Sequence, residues 1–158
     1  PQIESVWEGG LNFSRRFRGS GARVRAGVTY AEGDLASRPT LPAVSADIST
    51  TSAGIEFEWD RFSLAASALT SDNGVPGGDY DSWSVGATTG GFGADWSLTI
   101  ASAEDARLQA RSDSTAFGAA WDIAEGLRLA VGYQRNRLEL PDFDADSHGA
   151  VLEITQTY

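Results

Sequence analysis

Two glutamates two positions apart, Glu56 and Glu58 in "GIEFEWD", match two arginines at the same spacing, Arg23 and Arg25 in "ARVRAG". A pair of carboxylates can serve glycoside hydrolysis, and two residues of strand rise would hold this pair roughly 7 Å apart. The same spacing is ordinary on the polar face of any strand, where cross-strand ion pairs hold register at roughly 0.2 to 1 kcal/mol each. Opposed fixed charges have a third use: lining a narrow, water-filled passage, they bias which ions enter it. Asp142, Asp144 and Asp146 alternate in "PDFDADSHG", with Glu153 eleven positions after Asp142, as in part of a calcium loop. Ser147 stands where that loop's sharp turn requires glycine. These three aspartates are the candidate for a structural calcium ion, and Asp72, Asp79 and Asp81 form a second acidic cluster. His148 is the sole histidine and cysteine is missing, so no transition-metal site of the usual kind can be assembled. There is no Gly-x-Ser-x-Gly elbow, and the glycines of "TGGFG" fit a hairpin turn, not a phosphate cradle. Neither an enzymatic activity nor an organic cofactor is expected.

The chain as a whole narrows the classes further. Its 158 residues carry 12 basic and 22 acidic side chains, a net charge of −10 that repels nucleic acid. Every basic residue is arginine, and methionine is missing as well. The lack of cysteine rules out a disulfide framework. No run of about 18 apolar residues occurs, so a transmembrane helix is excluded; a membrane barrel is not, because its strands alternate.

A period of two runs down the chain. Trp7, Leu11, Phe13 and Phe17 oppose Glu8, Asn12, Ser14 and Arg16, and Val24, Ala26, Val28 and Tyr30 oppose Arg23, Arg25, Gly27 and Thr29. Seven further runs follow, each predicting a strand with one apolar and one polar face. The expected fold is therefore all-β: an antiparallel up-and-down transmembrane β-barrel unit over 1–158, with nine strands of roughly ten residues. Short connections ("RGSG", "DR", "TGG", "IAEG") alternate with long loops at 33–51, 72–81, 103–113 and 138–147. Long loops at one end and tight turns at the other are the habit of outer-membrane barrels.

The two faces carry different chemistry. Aromatic residues gather near the ends of the apolar face: Phe17, Trp59, Phe62, Phe92, Trp121 and Tyr158 by the short turns, Trp7, Tyr30, Trp83 and Tyr133 by the long loops. Two such levels separated by Val, Leu and Ala are expected of rings at headgroup depth. The polar face is Gly, Ser and Thr with Arg16, Arg23, Arg25 and Arg128 opposed to Glu8, Glu56, Glu58, Asp95, Asp122 and Glu153. Too polar for a dry core, it suits a water-filled lumen, and these ten charges are the expected pore lining.

The stretch "STAFGAAWDIAEGLRLAVGYQRNRLELPDFDADSHGAVLEITQTY" resembles the C-terminal end of Gram-negative general porins, and "YDSWSVGATTGGFGADWSLTIA" resembles the preceding porin hairpin. The resemblance implies a trimeric barrel of about sixteen strands in the bacterial outer membrane, in contact with the lipid bilayer and lipopolysaccharide. It also implies passive diffusion of ions and small hydrophilic solutes. Tyr158 would match the family's C-terminal aromatic, read by the barrel assembly machinery. If Tyr158 ends a strand on the periplasmic side, nine strands place the chain's start outside, so the chain is expected to be the C-terminal half of a longer porin. The long loop at 33–51 is the candidate for a constriction. A soluble all-β binding protein, lipocalin-like or lectin-like, is the alternative; it would bury Trp59, Trp83, Trp96 and Trp121 instead of showing them to lipid. A third reading is a structural or adhesive outer-membrane barrel that works through its loops.

Overall fold

The computed structural model describes residues 3–35, 48–72 and 78–156. They form one sheet of nine strands: β1 (Ile3–Arg16), β2 (Arg23–Leu35), β3 (Ile48–Trp59), β4 (Phe62–Ser71), β5 (Tyr80–Gly91), β6 (Ala94–Asp105), β7 (Ala110–Ala124), β8 (Leu127–Leu140) and β9 (Phe143–Gln156). Each strand pairs antiparallel with the next in sequence order, and β1 and β9 are the free edges of an open sheet. An up-and-down meander of this kind fits part of a barrel wall. Among the described residues no helix is long and apolar enough to cross a membrane.

The strands are longer than the alternation suggests, from 10 residues in β4 to 15 in β7. Two of the expected long loops are overturned by this. In place of a loop at 103–113, β6 runs to Asp105 and β7 starts at Ala110; in place of one at 138–147, β8 and β9 are joined by Pro141 and Asp142 alone. The cause lies in the side chains: in these extensions charged residues replace the apolar set, so the period-two signal fades while the backbone ladder continues. Arg111 lies opposite Glu104, and Arg137 opposite Asp146. The remaining long loops, 33–51 and 72–81, lose residues to β2, β3 and β5 at their ends, and their centres fall outside the described residues.

Tight connections close the opposite end. Phe92 and Gly93 both have positive φ, 55° and 75°, the signature of a two-residue type I′ turn between the paired Gly91 and Ala94. Gly93 meets this need without strain. Phe92 does not, and its placement corrects the strand assignment: it sits at the tip of the turn, fully exposed, rather than in the strand that follows. Asp60 makes a similar turn at φ 53° between the paired Trp59 and Phe62.

No apolar layer of the described residues packs against the sheet. Among the described residues the buried apolar side chains are Ala22, Ala94 and Ala119, and no large side chain is fully buried. Along β3 and β5 the apolar residues Ile55, Phe57, Trp59, Trp83 and Val85 are the exposed ones, while Gly54, Glu56, Glu58, Ser82, Ser84 and Gly86 are more sheltered. A core-forming sheet does the reverse. On these strands the polar side is thus the more sheltered, inner one and the apolar side faces outward.

The outward aromatics near the long loops step along the strands as the sheet is crossed. From Tyr30 on β2, the row of paired residues leads to Asp81 on β5 and Glu139 on β8. Trp83 lies two residues below that row and Tyr133 six, counting toward the short turns. At the short-turn end, Phe17, Trp59, Phe62 and Trp96 each lie eight residues from the same row.

Candidate functional site

Register decides what the inward charges do. Arg25 on β2 lies opposite Glu56 on β3, and Arg23 lies opposite Glu58. The Arg25 guanidinium donates through Nε to Glu56 at 3.0 Å and through an Nη to Glu58 on the diagonal, while Arg23 reaches Glu58 at 3.5 Å. Arg23 and Arg25 are each held by the acids they face. All four are partly exposed, at 33–46% of the side chain, so the lattice is hydrated and each pair contributes at most about 1 kcal/mol.

A second cluster lies across β6, β7 and β8. Arg128 donates to Asp95 on β6 at 2.6 Å and to Asp122 on β7 at 3.5 Å. To reach Asp95 it must pass β7, where Ala120 lies beside Asp95 and its methyl is too short to obstruct it. Between the two clusters Ser67 and Ser84 hydrogen-bond at 2.8 Å, and on β2 and β3, beyond the first cluster toward the long loops, Thr29 and Ser52 hydrogen-bond at 2.6 Å. Gly118 keeps this surface low, since a Cβ there would stand 2.7 Å from Ser97 Oγ.

The remaining expected lining residues are not gathered into either cluster. Arg16 lies directly opposite Arg23 in the β1–β2 ladder, Glu8 lies opposite Ala31, and Glu153 on β9 accepts from Thr155 Oγ1 at 3.0 Å. All three have the inward parity of their strands. Among the described residues no group of three His, Cys, Asp or Glu converges as a metal would require. Asp142 lies in the β8–β9 turn, Asp144 and Asp146 lie on β9, and Asp146 accepts from Arg135 at 3.1 Å. The other acidic cluster is also in use: the Asp72 carboxylate accepts from Ser49 N and Ser49 Oγ, both at 2.8 Å.

On the outward face, Trp7 and Tyr30 meet edge to face at 5.4 Å between centroids, and Trp83 on β5 and Tyr133 on β8 stand toward the same end of the sheet. At the short-turn end stand Phe17, Trp59, Phe62 and Trp121; Tyr158 lies outside the described residues. Trp96 belongs with them, although its position in the alternation reads as mid-strand. Its ring packs on Trp121 at 6.0 Å and Phe117 at 5.8 Å, and Nε1 donates to Gly91 O at 3.1 Å. Trp59 and Trp83 are 55% and 48% exposed, where a soluble barrel would enclose them. An apolar outward face, bounded by aromatics and backed by a hydrated ionic one, is the division of labour of a membrane channel wall. A family model of Gram-negative porins matches residues 2–141. The chain belongs to the Gram-negative porin family. Comparison with the curated proteins gives no significant match. Membership in the porin family supports an outer-membrane β-barrel and a channel role rather than an enzymatic one.

Sequence reasoning missed one more group. Glu104, Arg111, Asp113, Arg137 and Glu139 share the outward parity but lie beyond the aromatic level at the end opposite the short turns. Arg111 holds Glu104 and Asp113, each at 3.1 Å, and Arg137 holds Glu139 at 3.0 Å. Their alternating signs at two-residue spacing were the available signal.

Proposed function

We propose that this porin contributes the wall of a water-filled channel through which ions and small hydrophilic solutes diffuse passively across the outer membrane. The observation that carries the reading is the contrast between the faces. The inward side bears Arg25 with Glu56 and Glu58, and Arg128 with Asp95 and Asp122, all hydrated, while the outward side is apolar between aromatic levels. Fixed charges of both signs on one lumen wall permit passage of small ions with a selectivity set by their balance. The ten inward charges comprise four arginines and six acids, so the described lining favours cations modestly.

The family resemblance extends the proposal to a trimer of barrels of about sixteen strands each, with lipid and lipopolysaccharide against the outward face. Tyr158 is proposed as the aromatic signal that the barrel assembly machinery reads, and a calcium ion at Asp142, Asp144 and Asp146 gains no support from their placement. The test is conductance of the detergent-extracted protein from its native membrane in planar bilayers. Stepwise openings that scale with bulk salt, with a reversal potential displaced toward cations, are expected. A protein that stays in solution without detergent and never inserts would overturn the channel and leave a soluble binding barrel.

A further inference from the structure

Between its two aromatic levels the outward face carries one charged side chain among the described residues, Arg15. It shares the parity of Leu11, Phe13 and Phe17 and lies opposite Val24. Its guanidinium stands over the Phe17 ring, 5.3 Å from the centroid, and Arg15 forms no ion pair among the described residues. The inward arginines Arg23, Arg25 and Arg128 all hold carboxylates. No acidic side chain shares Arg15's face on the paired neighbour β2 until Glu32, beyond Tyr30.

A cation on a lipid-facing surface needs either a route to the headgroups or an anion brought to it. Arg15 has the first: Phe17 marks the aromatic level at the short-turn end, two residues away, and the Arg15 side chain reaches back over its ring. The stacked guanidinium is thereby set at headgroup depth, with its N–H fork unspent. A phosphate diester is the anion found there, its paired oxygens match the fork, and an anionic lipid's phosphate is not offset by a headgroup cation as phosphatidylcholine's is. Arg18, in the following turn, adds positive charge at the same end.

We propose that Arg15, braced by Phe17, binds the phosphate of an anionic phospholipid in the leaflet at the short-turn end. This rests on the membrane-barrel reading of the preceding section. The site has a lipid tail's surroundings as well as a headgroup's: Phe13, Val24 and Phe57 lie on the same outward face above it, an apolar path for an acyl chain. A free anion would gain nothing from that path.

The test uses the full chain, folded into phosphatidylcholine vesicles with and without phosphatidylglycerol, then released for native mass spectrometry that counts retained lipids. Wild type should retain phosphatidylglycerol in preference to phosphatidylcholine, and Arg15→Gln should lower that preference about fivefold, the effect of one basic side chain at a membrane surface. Channel conductance of Arg15→Gln should be unchanged, because the residue does not face the lumen. Equal phosphatidylglycerol preference in wild type and Arg15→Gln, with conductance intact, overturns the site. If Arg15→Gln fails to insert, Arg15→Lys keeps the charge without the fork; an inserted Arg15→Lys with wild-type preference overturns the bidentate phosphate site. Arg15→Cys is clean in a chain without cysteine; efficient disulfide linkage between copies would assign the position to a protein contact and also overturn the lipid. Wild-type vesicles without channels would overturn the membrane reading itself, a result distinct from all of these.

Discussion

Arg15 and Arg16 are neighbours in sequence and opposites in surroundings. Arg15 lies over Phe17 on the outward face, while Arg16 stands opposite Arg23 on the inward face, where ion pairs continue across two strands. One residue of strand turns a side chain from hydrocarbon to water. The two faces thus price the same group differently, although both are built from one alternation and neither is a core. Inward, a charge keeps its water whether it is paired, as Arg23 and Arg25 are, or faces a like charge, as Arg16 does; outward, it must lie at the aromatic level to be tolerated. The difference teaches that the wall's specificity lies in parity, and substitutions one residue apart should separate the faces cleanly.

Leu98 and Thr99 supply the sharpest break. Leu98 is outward, opposite Ala87 and Phe117, about midway between the aromatic levels; Thr99 is inward, opposite Gly86 and Ala116. Leu98→Arg should destabilise the membrane-inserted fold by about 2 to 4 kcal/mol, the cost of a basic side chain near the bilayer midplane. Thr99→Arg should change stability by less than about 1 kcal/mol, since the side chain enters water beside the small Gly86, yet reduce conductance. Urea unfolding from vesicles, with single-channel recording on the same samples, measures both. Equal destabilisation by the two substitutions would show that the faces are not lipid and water.

Next in size is the aromatic level itself. Trp96→Phe keeps an aromatic ring near Trp121 and Phe117 but removes the Nε1 donor to Gly91 O. A loss of about 0.5 to 1.5 kcal/mol is expected, that of one hydrogen bond, and it should exceed the loss from Thr99→Arg in the same urea assay. Arg25→Gln works on the other side of the comparison. It leaves Glu56 and Glu58 with Arg23 as their remaining cation, so the reversal potential in a salt gradient should move further toward cations. Its stability change should be at most about 1 kcal/mol, because Arg25 is 46% exposed and its pairs are screened. A variant with unaltered ion preference would remove this cluster from the selectivity path.

Parity is the part of the molecule that can be read without coordinates. It fixes the nine strands, the faces and the inward set from Arg23 to Glu153, because side chains alternate whatever the register. Register itself is not local. That Arg25 takes both Glu56 and Glu58, or that Arg128 reaches past β7 to Asp95, depends on how far each strand slides against the next. The strand extensions were illegible for another reason: at 103–113 and 138–147 both faces meet water, so no apolar period survives to announce a strand, and the turn residues Pro141 and Asp142 look like part of a loop. Arg15 was hidden by the rule that revealed the strand, since an arginine among outward aromatics reads as a break in the pattern until its ring contact is seen.

Those extensions provide the smallest expected effect and set a limit on the comparison. Arg111 faces outward by parity, as Arg15 does, but beyond the aromatic level, where it holds Glu104 and Asp113 in open water. Outward parity therefore implies lipid contact only between the belts. Arg111→Ala should leave conductance and the urea midpoint unaltered, because exposed pairs are weak and salt screens them over roughly 8 Å at physiological ionic strength. What should change is local: amide exchange in the turn Ala106 to Gln109, where Ala106 N donates to Asp79 O and Leu108 N to Asp105 Oδ1, should speed up. Raising the salt should produce the same local acceleration in wild type. A fall in the urea midpoint as large as that of Leu98→Arg would mean that these charges lie within the bilayer, and the upper limit of the apolar band would have to be drawn above Tyr133.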